Sequence, residues 1–294
     1  MLQFIMRALI VGCGYVGLAL GAELARLGHH VVGLRRTATA EAEANAAGIE
    51  LLIGDITEPA DLDKLEPAYD WVANCVASSG GGSENYQAVY VNGTRNLLGW
   101  LAAAPPKKFV YTSSTSVYGQ IDGSVVTETS PTEPTTETAN ILLETERELI
   151  AAALARDFPA VILRVAGIYG PGRGYWLKHY LKGEARLEGA GERILNMIHR
   201  DDVVGAIMTA LERGRPGEIY NVVDDQPVTQ LEFFQWLAAR LGRPLPPSVS
   251  THESAARKRG LTNKRVSNAK LKSELSYQFK HPTFQQGLGA ELPN

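Results

Sequence analysis

Short apolar runs rich in Val, Ile and Leu alternate along the chain with longer segments whose apolar positions recur three or four residues apart. The runs at 7–11, 30–34, 49–53, 70–76, 107–112, 159–165 and 218–222 predict strands, and their near-continuous apolar character is that of strands covered on both faces. Between the first two, Val16, Leu20, Leu24 and Leu27, followed by Gly28, predict an amphipathic helix over 15–27. Further helices are predicted over 40–47, 59–66, 85–104, 140–156, 201–213 and 229–242, the last opened by Thr229 three residues before Glu232 in the manner of a capping box. Strands alternating with helices in this way predict an α/β fold with a doubly wound parallel sheet.

The alternation persists to about residue 222, with punctuation by Gly and Pro from Pro171 onward. This predicts a main domain of residues 1–170 plus 196–228 and a small C-terminal lobe of residues 171–195 plus 229–294. Thr127 to Thr138 is nearly devoid of apolar residues and predicts a surface loop after the fifth strand.

Composition narrows the class. With 45% hydrophobic and 21% charged residues, a disordered or fibrous chain is excluded. A net charge of -3 provides no surplus for collecting nucleic acid or anionic lipid. The longest uncharged stretch, Ala8 to Ala22, is broken by four glycines and is too short for a membrane span. Cys13 and Cys75 lie in separate apolar runs, as buried reduced thiols do, and the N-terminal MLQFIM lacks the basic region of a signal peptide. A cytoplasmic protein with no nucleic-acid or membrane partner is expected.

The chemistry concentrates at Gly12-Cys13-Gly14-Tyr15-Val16-Gly17, which follows the first strand and opens the first helix. The first glycine permits the tight turn, the second lets the backbone approach a pyrophosphate, and the third allows helix and sheet to pack closely. This is the phosphate-binding turn of a Rossmann-type sheet. An NAD site would place an acidic residue after the second strand, but here Arg35, Arg36 and Thr37 follow Gly33-Leu34. Guanidinium groups at that point suit a 2′-phosphate, so NADP(H) is preferred over NAD(H). Asp55 and Ile56, after the third strand, are assigned to the adenine side of the cofactor, with helix capping the competing role for Asp55.

Several further motifs resemble those of the extended short-chain dehydrogenase/reductase family, which includes the nucleotide-sugar epimerases and dehydratases. They are Tyr90-Val91-Asn92-Gly93-Thr94, Thr112 to Gly119 (TSSTSVYG), Leu163 to Gly172 (LRVAGIYGPG), His199-Arg200-Asp201-Asp202 and Tyr220-Asn221-Val222. The resemblance implies that Ser114 aligns a small hydroxylated or nucleotide-sugar substrate. It also implies a tyrosine proton donor about two dozen residues later, a lysine four beyond that, and a homodimer through helices 85–104 and 140–156. Yet no tyrosine lies between Tyr118 and Tyr169 and no lysine between Lys108 and Lys178. Thr138 stands at the tyrosine place and Leu142 at the lysine place, so the chain resembles atypical members with a degenerate proton-transfer site. Two readings stay open: an oxidoreductase or epimerase with a replacement acid, and a noncatalytic NADP(H)-binding sensor or regulatory protein.

For the replacement acid, Tyr118 is expected to pack rather than react, and Glu128, Glu133 and Glu137 are loop carboxylates of the kind usually solvated. His199 is expected at the lobe junction, with Asp201 and Asp202 in the first turn of the next helix. The basic run Arg257, Lys258, Arg259, Lys264 and Arg265 is expected to be a solvated face, with a diphosphate contact the competing role. Sequence spacing contains no metal-ligand cluster, so no metal is expected.

Overall fold

Arg7–Val11 (β1), Tyr15–Arg26 (α1) and His30–Arg35 (β2) form the expected βαβ unit in the computed structural model, which describes residues 4–78, 80, 82–249 and 262–292. Then follow Glu41–Ala46 (α2), Ile49–Ile53 (β3), Pro59–Leu62 (α3), Trp71–Asn74 (β4), Ser83–Tyr86 (α4), Gly93–Leu101 (α5) and Lys108–Ser114 (β5). After the short Val125–Val126 (β6) come Glu137–Arg156 (α6), Ala160–Val165 (β7), Gly167–Tyr169 (β8) and Tyr175–Leu181 (α7). Leu187–Glu188 (β9), Ile194–Leu195 (β10), Met197–His199 (β11), Arg200–Arg213 (α8), Ile219–Val222 (β12), Val228–Thr229 (β13) and Gln230–Leu241 (α9) complete the alternating part. Ala269–Leu275 (α10) and Phe284–Gly289 (α11) lie in the tail.

Seven strands form one sheet in the order β12-β7-β5-β4-β1-β2-β3. All seven predicted strands are in it, and the predicted doubly wound α/β fold is borne out. β1 pairs in parallel with both β2 and β4, placing Val11 beside Leu34 and Asn74. The loops leaving β1, β2 and β4 therefore start side by side at the carboxyl ends of their strands, where open α/β sheets hold ligands.

The chain divides into two compact units. One comprises residues 1–114, 137–164 and 204–219, the other 115–136, 165–203 and 220–294. The loop before α6, expected in the main domain, thus groups with the smaller lobe. The first unit's core includes Leu9, Ile10, Leu24, Val72, Leu97 and Phe109, all essentially fully buried. The second unit has its own aromatic core, in which Tyr180 stacks on Phe234 at 5.7 Å and Phe233 meets Phe284 at 5.1 Å. The predicted capping box at Thr229 and Glu232 is present, and Gly242 closes the same helix in the left-handed conformation.

The predicted helix 85–104 differs from expectation. Between α4 and α5, residues Gln87–Asn92 form a π-helical turn. Apolar periodicity does not distinguish a one-residue widening of this kind from continuous α-helix, and such turns cluster at functional sites. Among the described residues, no helix is long and apolar enough to cross a membrane.

Candidate functional site

The three glycines of the β1–α1 turn have different structural duties. Gly12 has φ +84°, and a Cβ there would lie 2.6 Å from the Val76 amide nitrogen. At Gly17 a Cβ would come within 2.5 Å of the Gly12 carbonyl oxygen. Both positions are dictated by the fold alone. Gly14 is otherwise, because a Cβ there would meet nothing nearer than the Gly12 oxygen at 4.0 Å. Among the described residues, the absent side chain leaves an open cradle over the N-terminus of α1, where no side chain caps the helix and no acidic residue lies in the first turn. A helix start without a competing anion attracts a phosphate through its free N–H groups.

The turn is held by Leu34, whose carbonyl oxygen accepts from the amides of Gly12 and Cys13 at 3.0 Å each. Cys13 is fully buried against Gly33, where a Cβ would sit 2.8 Å from its sulfur. Burial pushes the Cys13 thiol up to about 11, despite the nearby Arg35, and pushes Cys75 up to about 12. Neither is a thiolate near neutral pH, which agrees with the expected reduced, inert role.

At the end of β2, Arg35 donates from Nη1 to the Cys13 carbonyl oxygen at 3.3 Å and from Nη2 to Thr39 Oγ1 at 3.0 Å. Thr37 meets Thr39 through their hydroxyls at 3.0 Å. Arg35 thus links the second strand to the glycine turn, and Arg36 and Thr37 are exposed beside it. Asp55 is occupied locally, its Oδ1 accepting from the Thr57 amide at 2.9 Å and from the Thr57 hydroxyl at 3.0 Å. Ile56 is buried against the α5 start, where a Cβ on Gly93 would touch it at 3.0 Å. Local turn formation and packing account for these two residues within the described geometry. Tyr15 and Val16 are half-buried at the start of α1.

Ser114 ends β5, and Thr138 is the second residue of α6, both half-buried. Leu142, at the place of the missing lysine, is buried. The charged centre of this region is a feature that sequence reading missed: Glu146 is fully buried, accepts from Ser113 Oγ at 2.5 Å and pairs with Arg164 Nη2 at 2.7 Å. Its signal was present only as an acid facing inward on a helix otherwise patterned for burial.

In the second unit, Tyr118 is buried and donates to Asn221 Oδ1 at 2.9 Å, the packing role expected of it. Glu128 accepts from the Asn221 amide at 2.8 Å instead of standing solvated, while Glu133 and Glu137 are exposed. Lys264 departs from the expected solvated face. It is buried, donates to the Tyr118 carbonyl oxygen at 2.7 Å, and is lowered to about 8 by burial and then by Arg193. Arg265 is exposed and donates to the Gly123 carbonyl oxygen, and Arg257, Lys258 and Arg259 lie outside the described residues. Asp202, expected as a first-turn helix residue, is fully buried and accepts from Tyr277 Oη, the Lys280 amide and the His281 amide. His199 is buried, and burial followed by the neighbouring His281 pulls its pKa down.

A doubly wound sheet with an open glycine cradle at its carboxyl edge defines a Rossmann-type dinucleotide-binding protein. The model of the NAD dependent epimerase/dehydratase family matches residues 8–222, and the chain belongs to that family. Protein YeeZ of Escherichia coli (strain K12) is 29% identical over 281 residues, covering 93% of this chain and 95% of that protein. A 3-diazoavenalumate denitrifying reductase of a Streptomyces species is 27% identical over 320 residues, covering 97% of this chain and all of that protein. The solved dTDP-glucose 4,6-dehydratase of Bacillus anthracis in complex with NAD shares the fold, with a TM-score of 0.83 at 21% identity, covering 97% of this chain and 94% of that one.

Proposed function

We propose that this chain binds NADP(H) at the glycine turn and acts as an oxidoreductase or epimerase on a small hydroxylated substrate of the nucleotide-sugar type. The observation that supports the reading is the bond from Arg35 to the Cys13 carbonyl, which ties the guanidinium at the end of β2 to the glycine turn. Gly12, Cys13, Gly14, Tyr15, Val16 and Gly17 would supply the pyrophosphate cradle. Arg35, Arg36 and Thr37 would supply charge-assisted donors to a 2′-phosphate. Asp55 and Ile56 would border the adenine. When bound, the nicotinamide supplies two-electron redox chemistry.

Ser114 would align the reacting hydroxyl or carbonyl. Neither Thr138 nor buried Leu142 is a proton donor poised near neutrality, so turnover requires a replacement acid and is poor without one. The relative named as a 3-diazoavenalumate denitrifying reductase fits a wider substrate range than the sugar nucleotides alone. The helices α5 and α6 are proposed to form the contact of a homodimer.

Calorimetric titration with NADPH and, separately, NADH tests the reading. It expects NADPH to bind tightly and NADH weakly, followed by oxidation of NADPH in the presence of a carbonyl substrate. Binding of neither cofactor would overturn it, and tight binding without turnover on any carbonyl or nucleotide sugar would favour the regulatory alternative.

A further inference from the structure

The second unit gathers two imidazoles and a carboxylate that the glycine turn and the sheet edge do not use. The ligand atoms of His199, Asp201 and His281 all lie within 4.8 Å of one another. We propose that these three side chains form a site for one divalent transition-metal ion of the zinc type.

The placement follows from the fold. His199 ends β11 and Asp201 enters α8 directly after it. His281 arrives from the tail, where Asp202 holds the incoming segment: its Oδ1 accepts from Tyr277 Oη at 2.9 Å and the Lys280 amide at 2.6 Å, and its Oδ2 from the His281 amide at 2.9 Å. The two imidazole rings are consequently pressed together, with centroids 3.9 Å apart and planes 47° from parallel. Among the described residues, the ring nitrogens of His281 make no hydrogen bond.

Asp201 and His199 are each oriented from behind. Asp201 Oδ1 is engaged by Arg200 at 2.9 Å, while Oδ2 lies 3.9 Å from His199 Nδ1. His199 Nε2 lies 3.4 Å from Glu291 Oε1. A proton on Nε2 shared with Glu291 leaves Nδ1 as the lone pair, and it faces the Asp201 side. Carboxylate, imidazole and metal stand in this order in protein metal sites, the outer acid fixing the tautomer of the inner ring. Nδ1 now accepts a 3.2 Å bond from the Asp201 amide, at the long end of the normal range, which a metal bond would replace.

Two imidazoles with one carboxylate favour zinc-like ions over magnesium or calcium, which take oxygen ligands. Bonds of about 2.0–2.2 Å require the ligand atoms to draw closer than they stand here. Asp201 and His281 are only partly buried, so they have the freedom to close on the buried His199. Three protein ligands leave a fourth position open to water or an exogenous ligand. The ion would clasp the tail around 277–291 to the β11–α8 turn.

The test is to titrate chelator-stripped, tag-free full-length protein with zinc chloride by calorimetry and with cobalt chloride by visible absorption. His281→Ala and Asp201→Asn are compared with His179→Ala, which removes a partly exposed histidine paired with Glu184 elsewhere in the unit. The expected result is one zinc per chain, cobalt ligand-field bands, and affinity lowered on the order of tenfold or more in the first two variants but unchanged in the third. Absence of saturable zinc binding, or binding undiminished in His281→Ala and Asp201→Asn, would overturn the proposal. Should either variant fail to fold, the cobalt titration of the unaltered protein decides, since absence of ligand-field bands there also overturns it.

Discussion

Arg35 Nη1 donates to the carbonyl oxygen of Cys13 at 3.3 Å, so the end of the second strand and the glycine turn form one connected surface. A carboxylate at this point, the usual device for a ribose hydroxyl, would repel a 2′-phosphate, whereas a guanidinium attracts it. Replacing Arg35→Asp together with Arg36→Ala is expected to weaken NADPH on the order of 10- to 100-fold, the worth of a charge-assisted hydrogen bond or two, with NADH much less affected. Equal losses for both cofactors in paired calorimetric titrations would contradict the assigned role.

The glycines of the turn separate folding from binding. Gly12→Ala forces a side chain into the left-handed region and against the Val76 backbone, and is expected to cost about 2–5 kcal/mol in urea unfolding. Gly14→Ala meets open space and should cost no more than about 1 kcal/mol, the ordinary difference between glycine and alanine at a helix start. It should nonetheless impair dinucleotide binding, because the new methyl group occupies the cradle. A Gly14→Ala protein that binds NADPH normally would remove the turn from the site.

Glu146 is predicted to be a structural acid. Arg164, also buried, reaches it with Nε at 3.1 Å and Nη2 at 2.7 Å, so truncating the acid strands a charge without water. Glu146→Ala should destabilise by about 3–5 kcal/mol, and Ser113→Ala by a smaller amount. Chemical denaturation with an unchanged m-value is the check, and a loss below about 1 kcal/mol for Glu146→Ala would show the network to be dispensable.

These sites differ in how far the sequence reveals them. The glycine turn, the arginines after β2 and the Thr229–Glu232 cap are local patterns, each determined within a few residues by backbone geometry, and they are present where periodicity and spacing placed them. The family motifs correctly indicated the fold because they mark strand ends across most of the chain. The π-helical turn at 87–92 was not legible, since its apolar spacing is compatible with an unbroken helix. Lys264 read as part of a basic run because charge alone does not reveal that a lysine donates to the carbonyl of Tyr118, far away in sequence. Asp202 likewise had the position of an ordinary first-turn acid. Its binding of residues 277–281 is a tertiary contact with no local signature, and the grouping of His199 with His281 follows from it.

Asp224 is expected to make stability fall with rising pH. Its side chain is buried, Oδ1 accepts from the Gln226 amide at 3.1 Å, and Oδ2 has no partner among the described residues. Burial raises its pKa to about 8, the Gln226 amide opposes the shift, and the neighbouring Asp225 and Asp202 add to it. The folded chain therefore keeps this proton well above the ordinary Asp range near 3.8, while the unfolded chain has lost it. Protons bound to the folded state alone stabilise it, so the contribution is complete below about pH 4 and disappears as pH rises through about 8. His199 is lowered from the ordinary 6.5 and Lys264 is lowered to about 8, so between pH 6.5 and about 8 the change is governed chiefly by Asp224. Across that interval the wild-type protein should lose about 2 kcal/mol more than Asp224→Asn, which holds an uncharged isostere at every pH. Urea unfolding of both proteins at the two ends of the interval measures this difference directly, and parallel slopes would show that Asp224 is already ionised in the fold.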